Sequence, residues 1–496
     1  MSNARPGLTR IASRALIAQP FMFAAAFVLQ RFAETNATDS ELWRPLFAIE
    51  LGTALIFLGV WAAVRRRQAA VLVTTIGVGI AASYTIPALV LASVYFWWWM
   101  LKLLRAIRGQ DIGPIVTLPG RFALGLSSGL LVIALISTAS ASWVRINDRA
   151  ALPMQSSGIG GPNVYLLLLD GYPRADSLED EFGIDNSPFL DQLGALDFDV
   201  AGKAHSNYNK TWLTVASLVD ARYVHDLPSI KAATTEGAPA QIRLLHEIID
   251  RGAALDVFRA RSYQITSVHS PVTTTDVLAD AQVRSSGHLT AFEISLLAHS
   301  LVARLAPAPF LEWITADQRS NLFAQLAIVK QISSEAADQP RLVLAHLMSP
   351  HLPFLLGQDP NYLDGCFPYC EFWTTPQESL DITDAEYASR LGTQIQVLNE
   401  AVINAVHQIV EADPSAWVIV MSDHGIRQHV RSWSEHFRTL FAARTPGYEE
   451  VFPDDISPVN VFRRAFTELF DGGLPDLPYE AWRSDWNLPL VLTRQK

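Results

Sequence analysis

The sequence predicts two parts, an N-terminal helical membrane domain and an α/β domain with a mostly parallel sheet between helices. Apolar runs long enough to cross a bilayer are confined to about the first 145 of the 496 residues. Beyond them, short apolar segments alternate with stretches of helical periodicity, a pattern typical of βαβ units. We therefore predict a transmembrane domain over residues 1–145, a linker over 146–162 and the α/β domain over 163–496.

Five apolar spans are predicted in the first domain. They cover about residues 11–30, residues 47–63, two helices within residues 69–104, and residues 122–143. A single span needs ~20 residues, so the long third run is divided near its Tyr-Thr-Ile-Pro sequence at 84–87. One tilted helix or a re-entrant hairpin over this run stays open, and so does a total of four spans.

Charge orients these spans. Basic clusters precede the first run and lie between the second and third and between the fourth and fifth, so five spans place all of them on the cytoplasmic side. The α/β domain then faces outward. Residues 1–150 carry a net charge of +8, whereas the whole chain carries −11 and residues 151–496 therefore −19. The acidic half has no basic stripe to cover phosphates, so no nucleic-acid partner is expected.

The elements of the α/β domain follow from periodicity. Residues 244–261 predict a helix, and residues 263–268 the next strand. Residues 385–411 carry apolar side chains at three- and four-residue steps, which predicts an amphipathic helix, and residues 417–421 follow it as a strand. Residues 287–330 are helical in pattern and are predicted to form a cap or an insertion.

Three predicted strands end beside side chains that bind metals. Asp170 ends four consecutive leucines, Asp423 and His424 follow the strand at 417–421, and His351 follows the strand that begins at residue 341. Ligands gather at the carboxyl ends of strands in an open parallel sheet, so these side chains can meet in one place. An unpaired buried carboxylate is costly, which favours a bound cation at Asp170, although a helix N-cap there stays open. The sequence therefore predicts a metal-dependent enzyme.

A further segment, residues 205–217, supplies a candidate nucleophile. A threonine hydroxyl is a poor nucleophile at neutral pH, but a divalent cation would activate that of Thr211. A helix N-cap at Thr211, a glycosylation sequon that begins at Asn209, and Thr214 as a rival nucleophile all stay open.

Other histidines are assigned from their position. His351 is predicted to bind substrate oxyanions or to protonate a leaving oxygen, and His436 and Arg438 are predicted to complete the pocket. His346 lies within a strand and is predicted to be a satisfied core histidine.

The two cysteines are Cys366 and Cys370. Two thiols are too few for a structural zinc site. A local disulfide fits an extracytoplasmic location, and two free thiols in a loop are the alternative.

These segments, in this order, resemble the sulfatase-like branch of the alkaline phosphatase superfamily, whose membrane-anchored members include lipoteichoic acid synthases and phosphoethanolamine transferases. The resemblance covers about residues 163–447. The predicted layout, five spans followed by an external domain, also resembles that of lipoteichoic acid synthases. It lies in Leu-Leu-Asp-Gly at 168–171, Asn-Tyr-Asn-Lys-Thr at 207–211, Ser-Pro-His-Leu-Pro-Phe at 349–354 and Ser-Asp-His-Gly at 422–425.

The resemblance implies one divalent metal, Mn²⁺, Zn²⁺ or Mg²⁺, and it implies Thr211 as the nucleophile. It implies His351 as a substrate-side or second-metal residue, but only His351 and His436 match a second site, so a second metal is uncertain. Sulfatases use a Cys/Ser-x-Pro-x-Arg element, which Thr211-Trp-Leu-Thr-Val lacks. The implied ligands of the single metal are Asp170, Thr211, Asp423 and His424.

We predict a membrane-anchored, metal-dependent phosphotransferase or phosphoric-ester hydrolase of the bacterial inner membrane that acts through a phosphothreonine at Thr211 on an envelope lipid or glycan. His351, Lys210 and Asn209 are predicted to stabilise charge on the transferring group. The alternatives are a sulfuric-ester hydrolase and a catalytically inactive envelope scaffold. A transporter is disfavoured because the spans hold no clear ionisable site.

Overall fold

A computed structural model describes ten stretches of the chain. They are residues 16–35, 37–65, 67–82, 126–136, 151–153, 160–300, 305–356, 382–470, 473–485 and 488–495. The chain divides into two compact units. The first runs to Trp143 and includes Phe292–Ala308, and the second comprises Val144–Ala291 with Pro309–Lys496. The inclusion of Phe292–Ala308 in the first unit departs from the predicted division at residue 145.

The first unit is helical. Its helices within the described residues are α1 (Gln19–Glu34), α2 (Asp39–Val64), α3 (Arg67–Ala81) and α4 (Leu126–Ile136). Helix α2 begins with a capping box in which Thr38 and Glu41 satisfy each other's backbone N–H groups. Among the described residues, its Asp39–Ala63 stretch is the one helix long and apolar enough to cross a membrane. The five-span prediction is therefore not confirmed, and its fourth span lies outside the described residues.

The segment Phe292–Ala308 packs within the first unit. Phe292 and Leu296 share an apolar cluster with Phe27 and Phe32, and the Phe292 and Phe32 rings meet edge to face at 5.9 Å. Next to Phe292 in the chain, Glu293 forms an ion pair with Arg44. A segment from the acidic part of the sequence is thus held against the N-terminal helices by apolar burial.

The second unit is built on a mixed, mostly parallel sheet. Seven described strands have the spatial order β2-β7-β6-β1-β5-β3-β4. Strands β6, β1, β5, β3 and β4 are parallel, and β7 pairs antiparallel with both β6 and β2. The strands are β1 (Val164–Leu169), β2 (Asp199–Val200), β3 (Gln264–Val268), β4 (Gln282–Arg284), β5 (Arg341–Leu347), β6 (Trp417–Ser422) and β7 (Phe441–Arg444), followed by a separate hairpin of β8 (Trp482–Ser484) and β9 (Leu492–Arg494).

Helices cover both faces of this sheet. The side chains of β1 alternate, so that Leu166 and Leu168 enter one core and Tyr165 and Leu167 enter the other. A strand buried on both faces has no polar alternation, which explains the unbroken apolar run that precedes Asp170. The helices of this unit are α5 (Ala175–Phe182), α6 (Ser187–Gly194), α7 (Thr211–Asp220), α8 (Pro228–Ala232), α9 (Ala238–Asp250), α10 (Ala253–Ala260), α12 (Ala308–Ser334), α13 (Asp384–Ala412) and α14 (Pro458–Phe470), whereas α11 (Ala291–Ala298) lies almost entirely in the segment that belongs to the first unit.

One predicted helix is two. The stretch 244–261 is broken between α9 and α10, at Gly252. A side chain there would lie 2.2 Å from the Val219 carbonyl oxygen, so the close approach of two backbones requires glycine. The carboxylate of Asp220 accepts a hydrogen bond from Ala253 N at 2.9 Å and caps the second helix.

The other predicted elements agree with the structure. The amphipathic helix is α13 and the strand that follows it is β6. Residues 287–330 contain α11 and α12, as the helical pattern predicts. Cys366 and Cys370 lie outside the described residues.

Candidate active site

The three strands predicted to carry metal ligands are neighbours in the sheet. Strand β1 lies between β6 and β5, and Leu169 is in register with both Ser422 and Leu347. Asp170 therefore follows its strand at the level where Asp423 follows β6. The parallel register places the two carboxylates side by side at the carboxyl edge of the sheet.

Asp170, Asp423 and His424 form one buried cluster. Their ligating atoms all lie within 4.8 Å of one another, and the three residues are at most 2% exposed. The His424 Nε2 atom is 3.5 Å from Asp170 Oδ1 and 3.4 Å from Asp423 Oδ2. His424 Nδ1 lies 2.7 Å from the Gly425 carbonyl oxygen, which requires the ring proton on Nδ1 and leaves the Nε2 lone pair facing the carboxylates.

The cluster consists of acceptors that lack donors. Asp170 Oδ1, Asp423 Oδ2 and His424 Nε2 are buried, and none has a hydrogen bond of good geometry with the described residues. Buried unsatisfied polar atoms each cost about 1–3 kcal/mol, so three that converge on one point require an explanation. Two hard oxygens and one imidazole nitrogen are a donor set for Mn²⁺, Mg²⁺ or Zn²⁺. The residues present fit a divalent cation.

The electrostatics of the two carboxylates agree with this fit. Burial, and next the charge on Asp170, raise the pKa of Asp423 to about 7. Burial also acts to raise the pKa of Asp170, but the imidazoles of His351 and His346 outweigh it and hold that pKa below its usual range. Two ionised carboxylates at this separation repel, and a cation between them would remove the repulsion.

Thr211 lies at the edge of this cluster. It is the first residue of α7, it is half-buried, and its hydroxyl interacts with the Asp423 carboxylate as a hydrogen-bond donor, which acts to lower the pKa of Asp423. The N-cap of α7 is Lys210, so the alternative that Thr211 is an N-cap is wrong. The backbone N–H groups of the first helical turn favour an anion bound at this end.

The rival nucleophile is placed elsewhere. Thr214 is fully buried on the next turn of α7, and its hydroxyl donates to the Tyr208 carbonyl oxygen at 3.4 Å. Asp170 is also not a helix N-cap, because the helix that follows it is capped at Arg174.

His346 belongs to the site, although the sequence indicates a core residue. It is buried, and its Nε2 lies 3.2 Å from Asp170 Oδ2 while its Nδ1 lies 2.7 Å from Thr275 Oγ1. Burial opposes the charged ring, but the bond to Asp170 outweighs it and raises the pKa of His346. The available signal was an isolated polar residue in an apolar strand five positions before His351. The ring orients one oxygen of Asp170 and leaves the other directed at the cluster.

His351 also lies beside the cluster. Its ring meets that of His424 at 6.4 Å, and its backbone N–H donates to the Asp170 carbonyl oxygen at 2.9 Å. Its Nε2 is 2.8 Å from Nη2 of Arg427, and its Nδ1 is 2.5 Å from the Leu352 carbonyl oxygen. The sequence gives little indication of Arg427, because its only signal is a cation three residues beyond His424.

Three further predicted residues lie around Arg427 and Thr211. Burial, and next the charges of Arg427 and Lys210, lower the pKa of His436 to about 3, which indicates that these two cations are near its ring. Asn209 is buried and its Oδ1 accepts a hydrogen bond from Ser484 N at 2.8 Å, so its side chain fixes the segment before Thr211.

The guanidinium of Arg438 pairs with two carboxylates. Its guanidinium is 3.3 Å from Glu435 Oε1 and 3.7 Å from Asp176 Oδ2. Two carboxylates supplied by separate elements attract it, and the sequence alone does not show them. A substrate-binding role for Arg438 stays a prediction.

Neighbouring backbone leaves no room for a side chain at Gly425. A side chain at Gly425 would lie 2.0 Å from the Glu435 carbonyl oxygen and 2.6 Å from that of Arg438. We expect Gly425→Ala to lower the free energy of unfolding by about 1–3 kcal/mol, because backbone must move to admit the methyl group. Thermal unfolding of the full chain in detergent measures the effect. Gly194→Ala, where nothing lies within 4 Å, is the matched control, and equal melting temperatures would contradict the expectation.

No family model and no curated protein matches the sequence. Solved structures do match. The C-terminal periplasmic domain of EcEptC from Escherichia coli matches at 12% identity over 70% of this chain and 96% of that chain, with a TM-score of 0.43. The soluble domain of lipooligosaccharide phosphoethanolamine transferase A from Neisseria meningitidis matches at 12% identity over 65% and 91%, with a TM-score of 0.40. The phosphonate monoester hydrolase of Agrobacterium radiobacter matches at 14% identity over 65% and 80%, with a TM-score of 0.42.

Proposed function

We propose that this chain is a metal-dependent enzyme that transfers or hydrolyses a phosphoric ester through Thr211. The observation that carries the proposal is the buried cluster of three unsatisfied acceptors on Asp170, Asp423 and His424, with the Thr211 hydroxyl at its edge. A threonine is not a strong nucleophile, and this cluster supplies the environment that would make it one.

The chain's own residues define the first step. The Thr211 Oγ1 atom attacks phosphorus, the bond to the departing oxygen breaks, and a phosphothreonine forms, while the proton that Thr211 loses is balanced by the one that the departing alcohol gains. The Asp423 carboxylate, with which the Thr211 hydroxyl interacts, would orient the attacking oxygen. A divalent cation held by Asp170, Asp423, His424 and Thr211 would supply the positive charge that lowers the pKa of a hydroxyl ligand and neutralises phosphoryl oxygens. Mn²⁺, Zn²⁺ and Mg²⁺ all suit these donors.

Cationic groups favour an anionic substrate. Burial, and next the charge of Arg427, lower the pKa of Lys210 to about 5. An incoming phosphoryl group would favour the protonated ammonium form, because opposite charges stabilise each other in a buried site. We propose that His351 and His436 contact the transferring group or the departing oxygen.

In the second step, water or an envelope hydroxyl takes the group from the phosphothreonine. The first outcome makes the protein a hydrolase and the second a transferase. A lipid or glycan substrate at the outer face of the inner membrane follows from the predicted topology and from the apolar helix α2. Sulfuric-ester hydrolysis is not favoured, because the nucleophile position is a threonine.

Mass spectrometry tests the proposal. The full chain in detergent is incubated with bis(p-nitrophenyl) phosphate and each of the three metals, and is then quenched in acid. We expect a phosphoryl-type adduct on the peptide that contains Thr211, together with p-nitrophenolate in solution. An adduct on Thr214, or none with any metal, would overturn the mechanism. A second incubation with membrane lipid extract separates transferase from hydrolase by the product, a modified acceptor or a free headgroup.

A further inference from the structure

Arg427 lies between the two halves of the proposed site. Its Nη2 is 2.8 Å from His351 Nε2, and its Nη1 donates to the Asn209 carbonyl oxygen at 3.4 Å. Asn209 is two residues before Thr211 in the chain, and His351 follows β5. The guanidinium therefore links the segment that carries the nucleophile to His351.

The charge of Arg427 acts on most of the site. Its attraction to Asp170 and Asp423 raises its own pKa against the effect of burial. Burial first, and the Arg427 charge second, lower the pKa of three neighbouring bases, which are Lys210, His424 and His436. The Arg427 charge therefore acts on residues of three separate segments of the site.

Two hydrogen bonds of Arg427 go to neutral acceptors, a ring nitrogen and a carbonyl oxygen. A guanidinium binds an oxyanion more strongly than it binds a neutral acceptor, so a phosphoryl group would compete well for it.

The tautomer of the His351 ring determines which group donates in its contact with Arg427. His351 Nδ1 is within 2.5 Å of the Leu352 carbonyl oxygen, so the ring proton is on Nδ1 and Nε2 is the acceptor for Arg427. While Arg427 occupies it, Nε2 has no lone pair to offer a substrate. If the guanidinium turns to another acceptor, the Nε2 lone pair faces the site.

We propose that Arg427 is the residue that recognises the phosphoryl group. Its guanidinium leaves His351 Nε2 for two non-bridging oxygens of a phosphodiester, a geometry that a planar fork of N–H donors matches. The departure of Arg427 frees His351 Nε2 to accept a hydrogen bond from the hydroxyl that takes the group. Substrate binding and exposure of the acceptor nitrogen are thus one event. The inference rests on the proposed function for its location, but it concerns anion recognition and not turnover.

Calorimetric titration of the full chain in detergent with inorganic phosphate tests this proposal without catalysis. We expect Arg427→Ala to weaken phosphate binding by about tenfold or more, because it removes charge-assisted hydrogen bonds. Arg427→Lys should keep part of the affinity, since the charge remains and the fork is lost. Arg431→Ala is the matched control, because its exposed guanidinium pairs with Glu181 and should not affect binding. Melting temperatures identify any variant that has not folded.

A double variant separates contact from positioning. In a His351→Asn background, Arg427→Ala should still weaken phosphate binding by about the same factor if Arg427 touches the anion itself. If Arg427 only positions His351, the second substitution costs nothing further, and the proposal fails. It also fails if the wild-type chain binds no phosphate, or if Arg427→Ala and Arg431→Ala bind equally well. Arg427-dependent phosphate binding without any adduct on Thr211 would support this inference and reject the proposed function.

Discussion

Replacement of Thr211 with alanine is expected to reduce p-nitrophenolate release from bis(p-nitrophenyl) phosphate by at least about a thousandfold. The expected size of the loss follows from the role of the hydroxyl, which forms the new bond to phosphorus and interacts with Asp423. Because Thr211 is half-buried at the start of α7, the alanine variant should fold normally. Initial rates of the full chain in detergent, with melting temperatures matched, measure the effect.

Two further threonine variants sharpen this result. Thr211→Ser keeps a hydroxyl at the same atom and should retain measurable turnover. Thr214→Val keeps the shape of a buried residue and removes a hydroxyl that bonds to Tyr208, so turnover should remain near the wild-type rate. The reverse pattern, with Thr214→Val inactive and Thr211→Ala active, would falsify the assignment of the nucleophile.

Asp423→Asn is expected to abolish metal retention and, at the same time, to stabilise the metal-free protein. The metal affinity should fall by at least about a hundredfold, since loss of a direct ligand exceeds the effect of losing its supporting contacts. In the metal-free protein the same change removes a charge that Asp170 repels, and the amide can donate to an unsatisfied acceptor. The asparagine oxygen can still accept the hydrogen bond from Gly171 N. We expect a gain of about 1–2 kcal/mol, or a few degrees in melting temperature.

Metal analysis and thermal unfolding with and without a chelator measure both effects. The wild-type chain should melt at a lower temperature after chelation, because a ligand that binds the folded state stabilises it. Asp423→Asn should show no such difference. Asp476→Asn removes an exposed carboxylate that pairs with Arg464, and it is the control that should retain metal. Retention of metal by Asp423→Asn would contradict the assignment of the ligand.

The central part of the fold was predictable from local signals. Unbroken apolar runs at β1, β5 and β6 identify strands buried on both faces, and the polar residues after them identify the ligand edge. The antiparallel pairing of β7 was not predictable, because a four-residue edge strand carries little pattern of its own and pairs with β6 across a loop. The break at Gly252 depends on a backbone from another helix, which periodicity does not reveal.

The candidate site shows the same division. Asp170, Asp423 and His424 could be found because each directly follows a strand. His346 and Arg427 were missed, since their partners lie far away in sequence and nothing in their immediate neighbours indicates those contacts.

The packing of Phe292 and Leu296 against Phe27 and Phe32 has a practical consequence for the isolation of the second unit. Truncation near residue 150 removes the two phenylalanines of α1 and leaves Phe292 and Leu296 without the apolar side chains that bury them. A soluble fragment therefore calls for a redesigned loop in place of Phe292–Ala308, and not merely a new start codon.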